Sequence, residues 1–283
     1  MMPRMKSPNR HIEALRSSGY AVVEDILTAS EVDEARRALA EVFRREQRLG
    51  PRRGWHNDRY QVAYVLPQKH PLFRSFCERE SLLALMRALL GSRCIVSALN
   101  GLTMAPGGRE QRLHVDQEES TPGTVLTINA VHVLDDFTRE NGCTRLVPGS
   151  QNRTWTGDPL TVECAEAEAV YVEATSGSLI AYDGALWHAG SRNRTERQRF
   201  AIHAFFAREW IRPHWDFPRS FSPEVIASLT DAQRRLFGFS AQPRRYDATS
   251  DRTIVGDDAA RGAGPARWRS VLGRLVAGSR LRR

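Results

Sequence analysis

Apolar residues follow two different rhythms along the chain. Val32, Ala35, Leu39, Val42 and Phe43 recur every three or four positions. That spacing predicts a helix over about 31–48, its arginines and glutamates facing water. Thr28 or Ser30 offers the N-cap, and Asp33 stands in the capping-box position relative to Ser30. Before it, Tyr20, Ala21, Val22 and Val23 read as a short strand. A second helix fits 81–90, where Leu82, Leu83, Leu85, Met86, Leu89 and Leu90 are too apolar for an exposed element, and Gly91 stops it. From Cys94 onward the rhythm changes to short β-rich runs, at 95–99, 125–128 with 131–134, 146–147, 169–172, 178–182 and 200–206. Turn residues such as Pro106-Gly107-Gly108, Asn141-Gly142, Pro148-Gly149 and Ser176-Gly177 separate them. Many short strands at such spacing imply a sandwich or barrel, here a jelly roll carrying a helical N-terminal portion.

The expected organisation is one domain over 1–240, with a helical part to about 92, a β core over 93–212 and a closing helix over 222–239. That last helix starts at Pro223 and ends near Gly238. A basic, flexible tail over 241–283 follows, in which Trp268, Val271, Leu272, Leu275 and Val276 permit a short amphipathic helix. The loop over 50–59 contains Trp55, His56 and Asp58, read as ordinary loop residues.

Composition narrows the functional classes. With 41% apolar and 26% charged residues in 283, the chain is an ordinary soluble globular protein. The net charge of +8 sits partly in Arg44, Arg45, Arg48, Arg52 and Arg53 and partly in the tail. No interleaved aromatics accompany it, so a solvated surface is expected and no nucleic-acid partner. No apolar run is long enough for a membrane span, and 1–16 lacks the apolar core of a secretory signal. Cys77, Cys94, Cys143 and Cys164 form no CxxC pair, which argues for free thiols in a reducing cytoplasm. The expected partner is a small-molecule substrate; oligomeric state is open.

The candidate chemistry lies in Leu113-His114-Val115-Asp116-Gln117, answered by Trp187-His188. On extended backbone, residues i and i+2 share a side, so His114 and Asp116 can reach one ion, with His188 arriving on a second strand. Two imidazoles and one carboxylate leave open positions on an octahedral metal, the set used by non-haem Fe(II) oxygenases. His-x-Asp alone is equally a solvated surface pair, and a zinc hydrolase also uses two histidines and an aspartate.

Longer motifs decide between these. Gln111-Arg112-Leu113-His114-Val115-Asp116-Gln117, the block from Asp135-Asp136-Phe137 through Asn141-Gly142-Cys143-Thr144-Arg145-Leu146-Val147-Pro148-Gly149-Ser150, and Trp187-His188-Ala189-Gly190 with Asn193, Thr195 and Arg199 resemble the phytanoyl-CoA dioxygenase family of Fe(II)/2-oxoglutarate-dependent oxygenases. The resemblance runs to about Phe239. It implies a mainly β fold with flanking helices around a double-stranded β-helix (jelly roll, cupin-like) core. It also implies catalytic iron on His114, Asp116 and His188, with 2-oxoglutarate and O2 as co-substrates. Arg199, eleven residues after His188, takes the family's position for the arginine that pairs with the distal carboxylate. The residues alone leave Arg197 and Arg199 open. Gln111 and Thr144 resemble co-substrate hydrogen-bonding groups, although Thr144 also fits a residue that merely satisfies backbone. An Asp at 116, where related halogenases have a small residue, points to oxygenation. Gln151 departs from the family's usual His after Pro-Gly-Ser, at a position that is not a metal ligand. Asn193 and Thr195 are expected to fix the loop after His188; His132 and His203 either line the substrate cavity or belong to the core.

The implied reaction is oxidation, foremost hydroxylation, of a small organic molecule such as a natural-product intermediate, releasing succinate and CO2. Desaturation, epimerisation or ring formation on the same centre, or a catalytically silent jelly-roll binding protein, are the alternatives.

Overall fold

The computed structural model describes residues 8–48, 60–241, 245–247, 249 and 252–254. The helical rhythm of the N-terminal part produces α1 (Pro8–Ser17), then β1 (Tyr20–Val23) and α2 (Ala29–Arg48). Val32, Ala35, Leu39, Val42 and Phe43 are all buried on α2. Burying a Leu, Val or Phe is worth about 1.5–3 kcal/mol, against a few tenths for an exposed helical ion pair. The apolar stripe therefore docks the helix, and the charges only keep its other face wet. Of the two expected N-caps, Thr28 and not Ser30 is used, and the capping partner is Glu31, not Asp33. Thr28 and Glu31 form the capping pair: Thr28 N–H donates to the Glu31 carboxylate (2.8 Å) and Glu31 N–H to Thr28 Oγ1 (3.3 Å). Thr-x-x-Glu wins because a longer acidic side chain reaches back to the cap backbone.

Next come β2 (Tyr60–Ala63), the short α3 (Leu66–Lys69) and α4 (Leu72–Ser75), and α5 (Glu80–Leu90), which Gly91 ends at φ 97°. The β core comprises β3 (Ile95–Met104), β4 (Thr127–Val133), β5 (Thr144–Leu146), β6 (Val170–Val172), β7 (Leu179–Asp183), β8 (His188–Gly190) and β9 (Arg199–Ala207). The helix α6 (Pro159–Glu166) lies between β5 and β6, and α7 (Phe217–Ser220), α8 (Pro223–Ser228) and α9 (Asp231–Leu236) follow β9.

Two antiparallel sheets face each other, one in the order β1-β7-β4-β9-β3-β2 and the other β6-β5-β8. Val131, Val133, Ile180, Tyr182 and Ala201 of the large sheet share a buried cluster with Leu146 and Val172 of the small one. The helices cover the other face of the large sheet. Phe43 of α2 meets Phe200 of β9 (ring centroids 6.3 Å), and a Cβ on Gly101 of β3 would stand 2.2 Å from Leu39 Cδ1. Inward positions on β9 are thus Arg199, Ala201 and His203, while Phe200 and Ile202 meet the helices.

The expected run over 125–134 forms β4, which is buried throughout because both of its faces are covered. The expected single closing helix is two: Leu229 is extended, and Thr230 with Gln233 forms a capping box that opens α9. His114 and Asp116 lie outside the named strands, on a connection that touches β8 through an isolated bridge.

The chain divides into two units, Met1–Gly238 and Phe239–Arg283. In the second, β10 (Arg245–Asp247) and β11 (Arg252–Ile254) form an antiparallel hairpin within the stretch read as a tail. The loop with Trp55, His56 and Asp58 and the amphipathic segment at 268–276 lie outside the described residues. Cys77, Cys94, Cys143 and Cys164 are all free, the last one exposed. Among the described residues, no helix is long and apolar enough to cross a membrane.

Candidate active site

Backbone pairing assembles the cluster. His114 N–H donates to His188 O and His188 N–H to His114 O, both at 2.9 Å, so the two imidazoles stand side by side with centroids 4.3 Å apart. Two residues on, Asp116 N–H and Gln117 N–H both donate to Gly184 O (3.0 and 2.9 Å), which turns the Asp116 carboxylate towards the same point. His114, Asp116 and His188 each offer a ligand atom within 4.8 Å of the others.

The second ring nitrogens are already committed. His114 Nδ1 lies 3.0 Å from Arg112 O and His188 Nδ1 2.9 Å from Leu186 O. A carbonyl only accepts, so each Nδ1 carries a hydrogen and Nε2 is the ring atom turned to the cluster. Asn129 Nδ2 donates to Asp116 Oδ2 (2.8 Å), and His188 Nε2 is 3.3 Å from the same oxygen. Burial by itself would raise the Asp116 carboxyl, but the facing His188, then His203 and His114, hold it far below the usual range. Burial would lower His188, and Asp116 more than reverses this, so it rises. His114 is pushed down by burial and by His188. An ionised carboxylate beside two imidazole Nε2 atoms, each oriented by an Nδ1–H bond to backbone, is a donor set suited to a divalent metal.

The cluster opens into a cavity of about 310 Å³ between the sheets, lined also by Gln111, Thr144, Arg199, Tyr182 and His203. Arg199 is 7% exposed. Its Nη1 donates to Gly142 O (2.8 Å), its guanidinium lies 3.9 Å from the Phe137 ring centroid, and its Nε has no acceptor. No carboxylate pairs with it among the described residues, and burial pushes it down to about 10, so it remains a cation at neutral pH. Gly142 is required beneath it: at φ 89° an added Cβ would meet Ser191 O at 2.8 Å. Arg192, Arg194 and Arg197 are exposed, so of the neighbouring arginines Arg199 alone reaches the cavity.

The other candidates separate. Gln111 Oε1 accepts Gly190 N–H (2.7 Å), so part of that side chain braces β8. Thr144 is buried and faces the cavity. His203 lines it, with Nε2 3.5 Å from Tyr182 Oη. His132 does not: one residue from inward-facing Val131, it points to the helical layer, where its ring meets Phe76 at 4.7 Å. Both of its ring nitrogens lack partners and burial lowers it to about 3. Asn193 is fully buried and bonds Arg197 O (2.8 Å) and Thr195 N–H (3.0 Å), which fixes the loop after His188 and leaves the Asn-x-Thr sequence inaccessible. Gln151 sits away from the cluster, its Nε2 3.4 Å from Ser17 O. Asn129, Tyr182 and Asn100 were missed in the sequence. Their only signal is inward register.

The model of the family "Phytanoyl-CoA dioxygenase" matches residues 15–201. The chain belongs to that family. It is an Fe(II)- and 2-oxoglutarate-dependent oxygenase. Among its relatives are the uncharacterized protein Rv1501 of Mycobacterium tuberculosis, 28% identical over 80% of this chain and 85% of that one, and the dioxygenase af480 of Aspergillus fumigatus, 28% identical over 80% and 75%. A solved structure, the non-heme alpha-ketoglutarate-dependent carbocyclase SnoK from nogalamycin biosynthesis, is 21% identical, with a TM-score of 0.65 over 78% of this chain and 94% of that one; it shares the jelly-roll fold.

Proposed function

We propose that His114, Asp116 and His188 hold Fe(II), that Arg199 takes the distal carboxylate of 2-oxoglutarate, and that the enzyme hydroxylates a small natural-product intermediate. The observation that carries this reading is the buried, carboxylate-free guanidinium of Arg199 in the same cavity as the His/Asp/His cluster. When bound, iron and co-substrate supply the activation of O2 that oxidises a C–H bond, with succinate and CO2 as products. The protein's part is positional. His114 and His188 donate Nδ1–H to backbone, which aims Nε2 at the metal position, and Asn129 holds Asp116 from behind. Arg199 offers a planar fork to a carboxylate, which suits bidentate pairing better than an ammonium. Thr144 and the amide of Gln111 line the same cavity as secondary contacts to the co-substrate.

A metal hydrolase would leave Arg199 without a partner, and a silent binding domain would have no use for imidazole nitrogens so oriented. The choice of a natural-product substrate draws on SnoK, a fold relative from nogalamycin biosynthesis. The test is anaerobic addition of Fe(II) and 2-oxoglutarate, followed by admission of air. A weak visible charge-transfer band and then succinate are expected; absence of both refutes the assignment.

A further inference from the structure

The cavity wall formed by β3 and β9 is sorted by chemistry. Across these strands Met104 faces Arg199, Leu102 faces Ala201, and Asn100 faces His203; all six line the cavity. A charged end, an apolar middle and a neutral polar end therefore follow one another. At about 3.3 Å per residue the two ends are roughly 13 Å apart, too far for one small dicarboxylate to occupy both.

The orientation of Asn100 is fixed by its partners. Its Oδ1 accepts Val65 N–H (3.2 Å) and Trp215 Nε1–H (3.3 Å). Both partners can only donate, so this arm of the amide is the oxygen. The Nδ2 group is left with no acceptor among the described residues, on a side chain that lines the cavity. Next to it is His203, which reaches Tyr182 Oη (3.5 Å) through Nε2. Apolar surface from Leu102, Val131 and Ala201 adjoins this pair.

We infer that Asn100, with His203 beside it, is the substrate-recognition end of the cavity. It binds a carbonyl or hydroxyl oxygen of a mainly hydrocarbon, alicyclic or aromatic substrate whose skeleton packs on Leu102, Val131 and Ala201. This rests on the oxygenase reading above. A neutral amide donor facing an apolar wall selects an oxygen acceptor and rejects both a plain hydrocarbon and a cation.

The discriminating variant is Asn100→Asp. It keeps an oxygen for Val65 N–H and Trp215 Nε1–H but turns the free arm from donor into acceptor. Cyclohexanone, methylcyclohexane and cyclohexylammonium are titrated as probes into the Fe(II)/2-oxoglutarate protein without O2, following the visible band. Ligand-observed NMR on the metal-free protein gives a second readout. The parent is expected to prefer cyclohexanone over methylcyclohexane by about tenfold, the worth of one net hydrogen bond. Asn100→Asp should lose that preference and favour cyclohexylammonium. Equal or absent binding of all three probes by the parent, or an unchanged order in Asn100→Asp, overturns the inference. A missing visible band in the parent instead refutes the oxygenase assignment itself, so the two failures are distinct.

Discussion

Replacing Arg199 by lysine keeps the charge and removes the fork. The parent guanidinium holds Gly142 O at 2.8 Å and lies 3.9 Å from the Phe137 ring centroid, which fixes its plane and leaves its other N–H groups for a carboxylate. A lysine in this place makes one contact where the fork makes two. Each hydrogen bond between charged partners contributes about 1.5–3 kcal/mol. Losing one costs about 2 kcal/mol, or roughly thirtyfold in affinity. The KM for 2-oxoglutarate, read from succinate formation, should rise by that factor, while iron retention stays at the parent level. Arg199→Met adds a thermodynamic check. Holding the guanidinium where burial lowers it from 12.5 to about 10 costs about 3 kcal/mol, so the methionine variant should melt no lower than the parent without ligand. At a hundred times Kd, 2-oxoglutarate stabilises the parent by about 2.7 kcal/mol and should not stabilise Arg199→Met. A KM within threefold of the parent in Arg199→Lys, or the same rise in Arg197→Lys, would refute the reasoning, because Arg197 is exposed.

His114→Ala removes one of the three proposed iron ligands and should abolish both iron retention, read by metal analysis, and succinate formation. Asp183 is 6% exposed and burial pushes its carboxyl from 3.8 up to about 6. The folded state thus favours the protonated form, and stability falls as pH rises from about 4 through 6. Asp183→Asn, which retains an acceptor for Ala185 N–H, should gain about 2–3 kcal/mol at pH 7.5 and nothing at pH 4 in urea melts. His132 has the opposite sign: its lowered pKa of about 3 favours the neutral ring in the fold, so its stability contribution is lost as pH falls below 6.5. His132→Leu should flatten that acid limb relative to the parent; an unchanged limb would show that the ring is not the group responsible.

The readable parts of the site were those carried by short contiguous motifs. His-x-Asp and Trp-His with the arginine eleven residues on are local spellings, and the structure brings their side chains together. Arg199 over Arg197 was undecided on residues alone; the inward register of β9, with Phe200 turned to Phe43 of α2, separates them. Asn129 was hidden because nothing in an apolar run marks its one amide as facing a partner from another segment. Asp116, thirteen residues earlier, accepts a hydrogen bond from Asn129 Nδ2, while the buried Asn129 Oδ1 has no partner among the described residues. His132 and His203 look alike in sequence, each flanked by apolar residues, yet one faces the helices and the other the cavity.

The sequence by itself determined that this protein would be a helix-covered β jelly roll and which residue types carry its chemistry. Periodicity and motif spelling are local properties, and each binds a few neighbouring residues to one conformation. Tertiary structure alone decided which buried polar groups face the His/Asp/His cluster and which face the helices. It also decided which arginine lost its solvent and which amide was left with a hydrogen bond to give. Those outcomes depend on strand register, and a shift of one residue carries every side chain to the opposite face of a sheet.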